Sequence, residues 1–283
     1  MPSDKKLAIV TGSNKGIGYA IVQGLCEKFD GDVMLTSRDE GRGREAVEKL
    51  TKLGFKPVFH KLDILTRDSI QSLARFIKEN YEGIDILVNN AAIAFKHDAT
   101  EPFAVQAEQT LETNYFALVK VCQELFPLLK TNARVVNISS SCGHLSKIPS
   151  PELKTKFSAD SLTVEQLNDL MSQFVDASKE GKNDELGWGK SAYNVSKVGV
   201  SALSRVQQRI FENSQPEKNI AVNSVHPGYV DTDMTSHKGP LTIEEGASAP
   251  LYLAIGKHNH KGQYVWRDST VWDWMADGTP APV

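Results

Sequence analysis

Cysteine is scarce in this sequence, with three residues among 283, at positions 26, 122 and 142. An odd number of cysteines without Cys-x-x-Cys spacing argues against a disulfide framework and against the usual zinc sites. The pattern is typical of reduced thiols, so we expect a cytoplasmic protein. His258 and His260 lie in a polar loop with no cysteine or carboxylate beside them in the sequence, and we expect no metal site there, only an exposed loop.

Long hydrophobic runs and clusters of basic residues are also lacking. The first apolar run spans residues 7–10, and no stretch approaches about 18 consecutive apolar residues, so we expect neither a signal peptide nor a membrane helix. A net charge of -3 and no basic block longer than Lys5-Lys6 give nucleic-acid binding no support. With 40% hydrophobic and 24% charged residues the composition is globular, and the expected partner is a small molecule.

Short β-branched runs alternate with longer segments of helical periodicity, which is typical of βαβ units and a parallel sheet. We expect one doubly wound, Rossmann-type α/β domain over residues 1–283, with about seven strands and helices on both faces. Helices are expected to begin near Gly18, Arg42, Asp68, Val105, Ser191 and Thr242. The predicted strands are 7–10, 33–37, 57–62, 85–89, 133–139, 220–226 and 263–266.

Residues 142–190 interrupt this alternation with a long excursion before the next predicted helix. Within it, Thr163 and Gln166 form the signature of a capping box, and apolar residues follow at helical spacing. The end of the excursion, 179–185, is polar and loop-like. We therefore expect an inserted, partly helical segment with one apolar face.

A glycine-rich turn follows the first predicted strand directly and leads into a helix. Glycines at this point permit a tight turn and let the backbone approach a pyrophosphate, which the partial positive charge of the helix N-terminus attracts. The predicted cofactor contacts of the turn are Gly12, Ser13, Asn14, Lys15, Gly16, Ile17 and Gly18.

Ser37 stands at the end of the second predicted strand, where NAD-binding folds usually carry an acidic residue. The guanidinium of Arg38 can fork onto a 2′-phosphate with help from Lys15, so NADP(H) is the predicted cofactor and Ser37 and Arg38 are predicted contacts. The alternative is that Asp39, one residue later, binds the ribose hydroxyls of NAD(H) and leaves Arg38 as a solvated charge.

Tyr193 and Lys197 are four residues apart on a predicted helix and therefore share one face. A free tyrosine has a pKa near 10, which makes it a poor partner for reversible proton transfer at neutral pH. An ammonium beside the phenol favours the phenolate and lowers that pKa. The pair therefore predicts an acid/base centre for carbonyl chemistry.

The order of these motifs resembles that of the classical short-chain dehydrogenases, from about residue 5 to residue 268. The resemblance rests on the glycine-rich turn, Asp63, Asn89-Asn90-Ala91, Asn114, Ser139-Ser140, Tyr193-x-x-x-Lys197 and Pro227-Gly228. Within that family the chain is similar to the animal carbonyl reductases, through residues 12–18, residues 89–95 and the insertion before Tyr193.

The resemblance implies that Tyr193 is the acid/base and that Ser140 orients the carbonyl and stabilises the developing alkoxide. It implies that Lys197 tunes Tyr193 and binds the nicotinamide ribose, and that Asn114 holds a water that relays protons. We prefer Ser140 to Ser139 and Ser141, because the side chains of its neighbours alternate to the opposite face. Further expected cofactor contacts are Asp63, Ile64, Asn90, Ala91, Pro227, Gly228, Val230 and Thr232, and expected substrate contacts are Phe95, Ser140, Cys142, Tyr193, Tyr229 and Met234.

The expected activity is NADPH-dependent reduction of fairly apolar aldehydes, ketones or quinones. One alternative is a dedicated biosynthetic ketone reductase or dehydrogenase on the same framework. Another is a non-catalytic NADP(H)-binding scaffold, which would not require the four expected catalytic residues together. His226, which precedes Pro227, is either a hydrogen-bonded residue at a strand end or a second acid.

The common dimer or tetramer of the family is implied to form on the helices that carry Asn114 and Tyr193. The apolar face of the insertion 142–190 must be buried, and the outer face of those two helices is the nearest apolar surface. We therefore expect the insertion to cover the helix surface that a partner subunit covers in other members of the family, which predicts a monomer. We also expect the insertion to form one side of the substrate crevice.

Overall fold

A computed structural model describes residues 3–96 and 98–280 of the chain. The strands of this part are β1 (Leu7–Val10), β2 (Asp32–Ser37), β3 (Val58–Lys61), β4 (Ile84–Asn89), β5 (Leu129–Ile138), β6 (Ala221–Val225), β7 (Tyr264–Val265) and β8 (Val271–Trp272). They form one sheet in the order 3-2-1-4-5-6-7-8, in which the first seven are parallel. The order reverses between β1 and β4, so a ligand crevice is expected at the carboxyl ends of these two strands.

Helices cover both faces of the sheet. They are α1 (Gly16–Lys28), α2 (Glu40–Lys52), α3 (Arg67–Asn80), α4 (Phe103–Leu111), α5 (Ala117–Leu125), α6 (Pro151–Ser158), α7 (Val164–Lys179), α8 (Ala192–Ser214) and α9 (Ile243–Ile255). In β1, Ala8 and Val10 pack with α1, α2 and α9, whereas Leu7 and Ile9 pack with α3, α5 and α8. Both faces of the strand are buried because side chains alternate, which is why it is an uninterrupted apolar run.

The predicted doubly wound α/β sheet is confirmed, but the described part of the chain forms eight strands rather than about seven. The chain turns back after β7, and β8 pairs with it in antiparallel orientation. Two residues carry too short a pattern for this strand to be visible in the sequence. Strand β5 also begins at Leu129, four residues earlier than expected, because the polar residues 130–132 hide its start and Asn132 takes a left-handed φ of 64°.

The insertion contains α6 and α7, and its predicted capping box is confirmed. Thr163 Oγ1 accepts from the Gln166 backbone N–H at 3.2 Å, and Gln166 Oε1 accepts from the Thr163 N–H at 3.0 Å. The apolar face of α7 packs on α4 and α8. The contact with α8 is close, since a Cβ on Gly199 would lie 2.7 Å from Met171 Sδ. The insertion therefore covers the outer faces of α4 and α8.

Candidate active site

The glycine-rich turn joins β1 to α1, which begins at Gly16. Gly12 and Gly16 have φ values of +60° and +58°, a region that favours glycine. A Cβ on Gly12 would lie 2.9 Å from Ala91 Cα, and one on Gly18 would lie 2.5 Å from Asn90 Nδ2. The turn thus has no room for side chains at these points, and its bare backbone lies at a helix N-terminus, as a pyrophosphate cradle requires.

Ser13, also in the glycine-rich turn, is hydrogen-bonded within the fold. Its side chain is fully buried, and its Oγ donates to the Val10 carbonyl at 2.8 Å and accepts from the Thr36 N–H at 3.0 Å. Its own N–H donates to the Thr36 carbonyl at 2.8 Å. The hydroxyl and the N–H of Ser13 join β1 to β2. That Ser13 contacts the cofactor stays a prediction. Asn14, Lys15 and Ile17 keep part of their surface exposed on the turn.

The end of β2 favours a phosphate over ribose hydroxyls. Arg38 is exposed, whereas Ser37 is buried. The Asp39 carboxylate accepts from the Arg42 backbone N–H at 2.9 Å and pairs with the Arg42 guanidinium at 3.1 Å, and these bonds lower the pKa of Asp39. Asp39 therefore caps α2 and is not available for a ribose, so the NAD(H) alternative loses its acidic residue.

Lys15 has a partner that the sequence did not reveal. Its ammonium lies 2.5 Å from Asp233 Oδ2, and both side chains are exposed. Asp233 belongs to the loop after β6, and the Thr232 methyl group of that loop would lie 3.4 Å from a Cβ on Gly16. The loop thus lies against the glycine-rich turn, and Lys15 joins the two. No spacing in the sequence links residues 15 and 233.

Other predicted cofactor contacts meet at the carboxyl ends of the strands. Thr11 Oγ1 accepts from the N–H groups of Asn90 and Ala91 at 2.9 and 3.0 Å, which joins the ends of β1 and β4. Asp63 follows β3 and accepts from the Leu65 N–H at 3.1 Å. A groove at this edge is lined by Thr11, Ile64, Asn89, Ala91, Asn114 and Lys197.

The loop after β6 carries Pro227, Gly228, Val230 and Thr232, all predicted to contact the cofactor. Val230 is 1% exposed, and its Cγ2 would lie 2.5 Å from a Cβ on Gly246 of α9. The side chain of Val230 therefore packs on the helix, and the predicted cofactor contact of this residue stays a prediction that concerns its backbone. Gly228 has a φ of +97°, which only glycine adopts readily and which turns the chain sharply at the end of β6.

Two of the consecutive serines after β5 have different environments. Ser139 is buried and its Oγ lies 2.7 Å from Ser201 Oγ and 3.2 Å from the Lys197 carbonyl, within the core. Ser140 is half-buried, its Oγ accepts from the Cys142 N–H at 3.1 Å, and it interacts with the Tyr193 phenol. This arrangement supports the choice of Ser140 as the serine that meets a substrate.

The pKa of Tyr193 differs from the expectation. Burial raises the pKa of this phenol above its usual value, the Cys142 thiol raises it further, and interaction with Ser140 lowers it. Lys197 does not lower it, because its ammonium donates to the Ile138 carbonyl at 2.8 Å and lies 5.8 Å from the centre of the Tyr193 ring. The predicted lowering is therefore wrong for this arrangement. A protonated phenol is nevertheless the form that a reductase needs, since it must donate a proton.

Burial lowers the pKa of Lys197 to about 8, which leaves the ammonium charged at neutral pH. The side chain is 3% exposed and lies on the face of α8 that also carries Tyr193. A buried cation with a single carbonyl partner has two further N–H groups to donate. Lys197 can therefore bind hydroxyl groups that enter the groove.

Asn114 lies in a π-helical segment, Glu112–Phe116, between α4 and α5. Its Oδ1 accepts from the Ile93 N–H at 2.8 Å, and its Nδ2 donates to the Ile93 carbonyl at 2.9 Å and to Ser196 Oγ at 3.1 Å. The side chain thus holds the segment after β4 against α8. A π-helical segment shifts the backbone hydrogen bonds and is frequent at functional sites. That Asn114 also holds a relay water stays a prediction.

His226 is a hydrogen-bonded residue at the end of β6. Its Nδ1 accepts from the Ser141 N–H at 2.9 Å, and its ring lies 4.3 Å from the Trp266 ring. Burial, with a smaller effect from Arg267, lowers the pKa of His226 to about 4. The imidazole is therefore neutral at pH 7 and does not act as a second acid, so the first of the two alternatives holds.

The expected substrate contacts have different environments. Cys142 is half-buried beside Tyr193 and Lys197. Tyr229 and Met234, 42% and 40% exposed, lie on the loop after β6, and Phe95 follows β4. Large apolar side chains exposed on the loops at the carboxyl edge of a sheet are typical of a pocket for apolar ligands. That Phe95, Tyr229 and Met234 contact a substrate stays a prediction.

Comparison with known proteins identifies the family of this chain. The short chain dehydrogenase profile matches residues 6–163 and 177–240. The chain belongs to the short chain dehydrogenase family. It is 47% identical to carbonyl reductase (NADPH) 1 of Rattus norvegicus over 278 residues, which cover 97% of this chain and 100% of the rat protein.

Two solved plant structures are similar to the chain. Salutaridine reductase of Papaver somniferum is 32% identical, with a TM-score of 0.82 over 92% of this chain and 99% of that chain. Menthone neomenthol reductase of Mentha piperita is 30% identical, with a TM-score of 0.77 over 94% and 99%. The coverage of 99% of each plant chain shows that this chain shares their fold.

Over residues 3–96 and 98–280, no three His, Cys, Asp or Glu side chains are grouped so that they could hold a metal ion. None of the helices described is both long and apolar enough to cross a membrane.

The loop with His258 and His260 differs from the expected exposed loop. Both rings are half-buried and stacked at 4.8 Å, and His258 Nε2 lies 3.0 Å from the Leu253 carbonyl at the end of α9.

Proposed function

We propose that this protein is an NADPH-dependent carbonyl reductase that converts aldehydes, ketones or quinones to alcohols or hydroquinones. The observation that carries the proposal is the grouping of Ser140, Tyr193 and Lys197 at the carboxyl edge of the sheet, beside a glycine cradle. The relationship to carbonyl reductase (NADPH) 1 over nearly the whole chain supports the same activity.

NADP(H) fits the residues at this edge. The bare backbone of the glycine-rich turn suits the pyrophosphate, and Lys197 suits the hydroxyls of the nicotinamide ribose. Arg38 is exposed at the end of β2, where the 2′-phosphate is expected, and Asp39 is engaged by Arg42. Lys15 is the second cation that we expect to meet this phosphate, and to do so it must leave Asp233.

The catalytic residues handle the proton and the oxygen of the substrate. When bound, the nicotinamide supplies the hydride to the carbonyl carbon. Tyr193 donates its proton to the carbonyl oxygen, and burial keeps the phenol protonated until that step. The Ser140 hydroxyl donates to the same oxygen and stabilises the charge that develops there. The Lys197 ammonium lies 5.8 Å from the centre of the Tyr193 ring and keeps two N–H groups for hydroxyls that enter the groove.

The test is NADPH consumption by the purified protein with 4-nitrobenzaldehyde, 9,10-phenanthrenequinone and cyclohexanone. We expect turnover with NADPH for at least one of them and much slower turnover with NADH, because the site offers cations to the 2′-phosphate. Each substrate is also incubated with NADPH alone to subtract the uncatalysed rate. Absence of turnover with a broad set of aldehydes, ketones and quinones would contradict the proposal.

A second candidate is a dedicated ketone reductase. It is favoured by the two plant structures, whose names each specify particular compounds, salutaridine in one and menthone and neomenthol in the other, and which share 30–32% identity with this chain. The same substrate panel separates the candidates. Similar kcat/KM values over chemically different carbonyls indicate a general reductase, whereas a preference of several orders of magnitude for one cyclic ketone indicates a dedicated one.

We also propose that the protein is a monomer. The α7 side chains Leu167, Met171 and Phe174 are fully buried, and Tyr115 donates its hydroxyl hydrogen to Asn168 Oδ1 at 2.9 Å. Each buried side chain of this size contributes about 1.5–3 kcal/mol relative to exposure. A partner subunit at this face would have to displace α7 and lose that contribution, which disfavours association through these helices.

Sedimentation velocity at micromolar concentration tests the monomer. We expect one species near 31.2 kDa, with and without NADPH. A stable dimer or tetramer would contradict the proposal and would indicate another interface, since the faces of α4 and α8 are covered by α7.

The protein is proposed to act in the cytoplasm. Cys26, Cys122 and Cys142 are all unlinked, and burial raises the pKa of the Cys26 and Cys122 thiols to about 11 and about 12. Such thiols remain protonated and unreactive in a reducing compartment.

A further inference from the structure

The peptide unit between Ser140 and Ser141 is held at both ends by side chains. The Ser140 carbonyl accepts from the Tyr264 hydroxyl at 2.6 Å, and the Ser141 N–H donates to His226 Nδ1 at 2.9 Å. Tyr264 lies in β7 and His226 directly follows β6, so the neighbouring strands of the sheet supply both contacts. Rotation of this peptide would break one or both hydrogen bonds.

The two side chains are themselves well fixed. Tyr264 and His226 are each 2% exposed, and both pack against Trp266, at ring distances of 6.2 and 4.3 Å. His226 Nδ1 also accepts from the Gly228 N–H at 3.4 Å. Because Nδ1 accepts from backbone N–H groups, the proton of the neutral ring is assigned to Nε2, which is buried and has no partner within the described residues. Nδ1 is therefore the atom through which His226 acts on its surroundings.

The Ser140–Ser141 peptide unit is next to the Ser140 side chain and affects the position of its hydroxyl. It begins the turn Ser141–Gly143, in which the Cys142 N–H donates to Ser140 Oγ at 3.1 Å. The turn is packed against α8, since a Cβ on Gly143 would lie 2.7 Å from the Lys197 carbonyl. With one lone pair of Oγ engaged by Cys142, the hydroxyl hydrogen is available to an oxygen beside it, the Tyr193 phenol or a substrate carbonyl. The accepted bond makes the hydroxyl a stronger donor.

We propose that His226 and Tyr264 are positioning residues that hold the Ser140–Ser141 peptide and so keep the Ser140 hydroxyl aligned with the substrate carbonyl. This inference rests on the proposed carbonyl reduction. Neither residue contacts the reacting atoms. They act through the turn, which places Cys142 N–H against Ser140 Oγ, and misplacement of a catalytic group by about 1 Å can lower a rate about 100-fold.

The test compares three substitutions of His226. Asparagine places its Oδ1 where Nδ1 lies and retains the acceptor, glutamine places a polar atom near Nε2 instead, and leucine has neither. With NADPH and 4-nitrobenzaldehyde, we expect His226→Leu and His226→Gln to lower kcat about 10- to 100-fold. His226→Asn should stay within about threefold of the unmutated protein, and NADPH affinity, measured by its fluorescence, should change little in all three. Rescue by glutamine but not by asparagine would overturn the proposal, because it would assign the role to Nε2.

Tyr264→Phe removes only the hydroxyl that donates to Ser140, and we expect a loss of kcat similar to that of His226→Leu. Combining either substitution with Ser140→Ala separates positioning from general stability. If the two residues act through Ser140, they should lower the residual single-turnover rate of the Ser140→Ala protein less than about twofold. Equal losses in both backgrounds would overturn the proposal.

A measurement without turnover keeps this inference separate from the proposed function. Amide hydrogen exchange of Ser141 and Cys142, followed by NMR on 15N-labelled protein, should be faster in His226→Leu and near normal in His226→Asn. Unchanged protection in the leucine variant would show that the peptide is not held by His226, whatever the activity. An inactive unmutated protein that shows the expected exchange pattern would instead contradict carbonyl reduction alone.

Discussion

Tyr193→Phe is expected to lower kcat by about 10²–10⁴-fold or more, because it removes the proton donor and keeps the ring. NADPH affinity should remain within several-fold, since Lys197 keeps its bond to the Ile138 carbonyl and does not depend on the phenol. Rates are measured by NADPH absorbance with 4-nitrobenzaldehyde, and affinity by fluorescence titration. The two readouts together separate loss of chemistry from loss of binding.

Tyr81→Phe is the matched control, because it also removes one phenolic hydroxyl. Tyr81 precedes β4 and donates to Asp32 at 3.0 Å, so it lies at the opposite edge of the sheet. The activity of the Tyr81→Phe protein should be close to that of the unmutated protein. Lys197→Ala should lose both turnover and cofactor affinity. A Tyr193→Phe protein with near-normal kcat would contradict the proposed mechanism.

Arg38→Asp should reverse the preference for NADPH over NADH. The substitution replaces charge-assisted hydrogen bonds to the 2′-phosphate with repulsion, and we expect the ratio of the two affinities to change by about 100-fold or more, roughly 3 kcal/mol. The neighbouring Asp39 remains engaged by Arg42, so the change is assigned to residue 38. Dissociation constants for both cofactors, measured at one ionic strength, give the ratio.

Arg75→Asp controls for the change in net charge. Arg75 is exposed on α3, on the other face of the sheet from α2, and should leave the cofactor preference unchanged. Equal affinity of the unmutated protein for NADPH and NADH would contradict the assignment. So would an Arg38→Asp protein that still prefers NADPH, which would shift the role to Lys15 released from Asp233.

Local sequence patterns were sufficient to predict a structural feature wherever that feature depends on a few neighbouring residues. The capping box at Thr163 and Gln166 and the buried run of β1 were visible because hydrogen bonding and side-chain alternation repeat over short distances. The strand β8 was not visible, because two residues carry no periodicity and its pairing depends on a turn back along β7.

Side-chain roles were harder to predict than positions. Ser13 lies in the glycine-rich turn, as its place in the motif requires, but its hydroxyl and N–H bind β1 and β2 instead of facing the crevice. Val230 is similar, since its side chain packs on α9. A motif identifies which residues approach a ligand, but burial and competing partners decide which atoms remain free to bind it.

The sequence by itself determined the doubly wound sheet, the family and the residues at the carboxyl edges of the strands, because each depends on alternation, turn chemistry or the order of short motifs. Only the tertiary structure decided which partners those residues take. Lys15 meets Asp233, Lys197 meets the Ile138 carbonyl, and the Ser140–Ser141 peptide meets His226 and Tyr264. The physical reason is that hydrogen bonds and desolvation depend on distances of about 3 Å between residues far apart in the chain, and sequence spacing does not encode those distances.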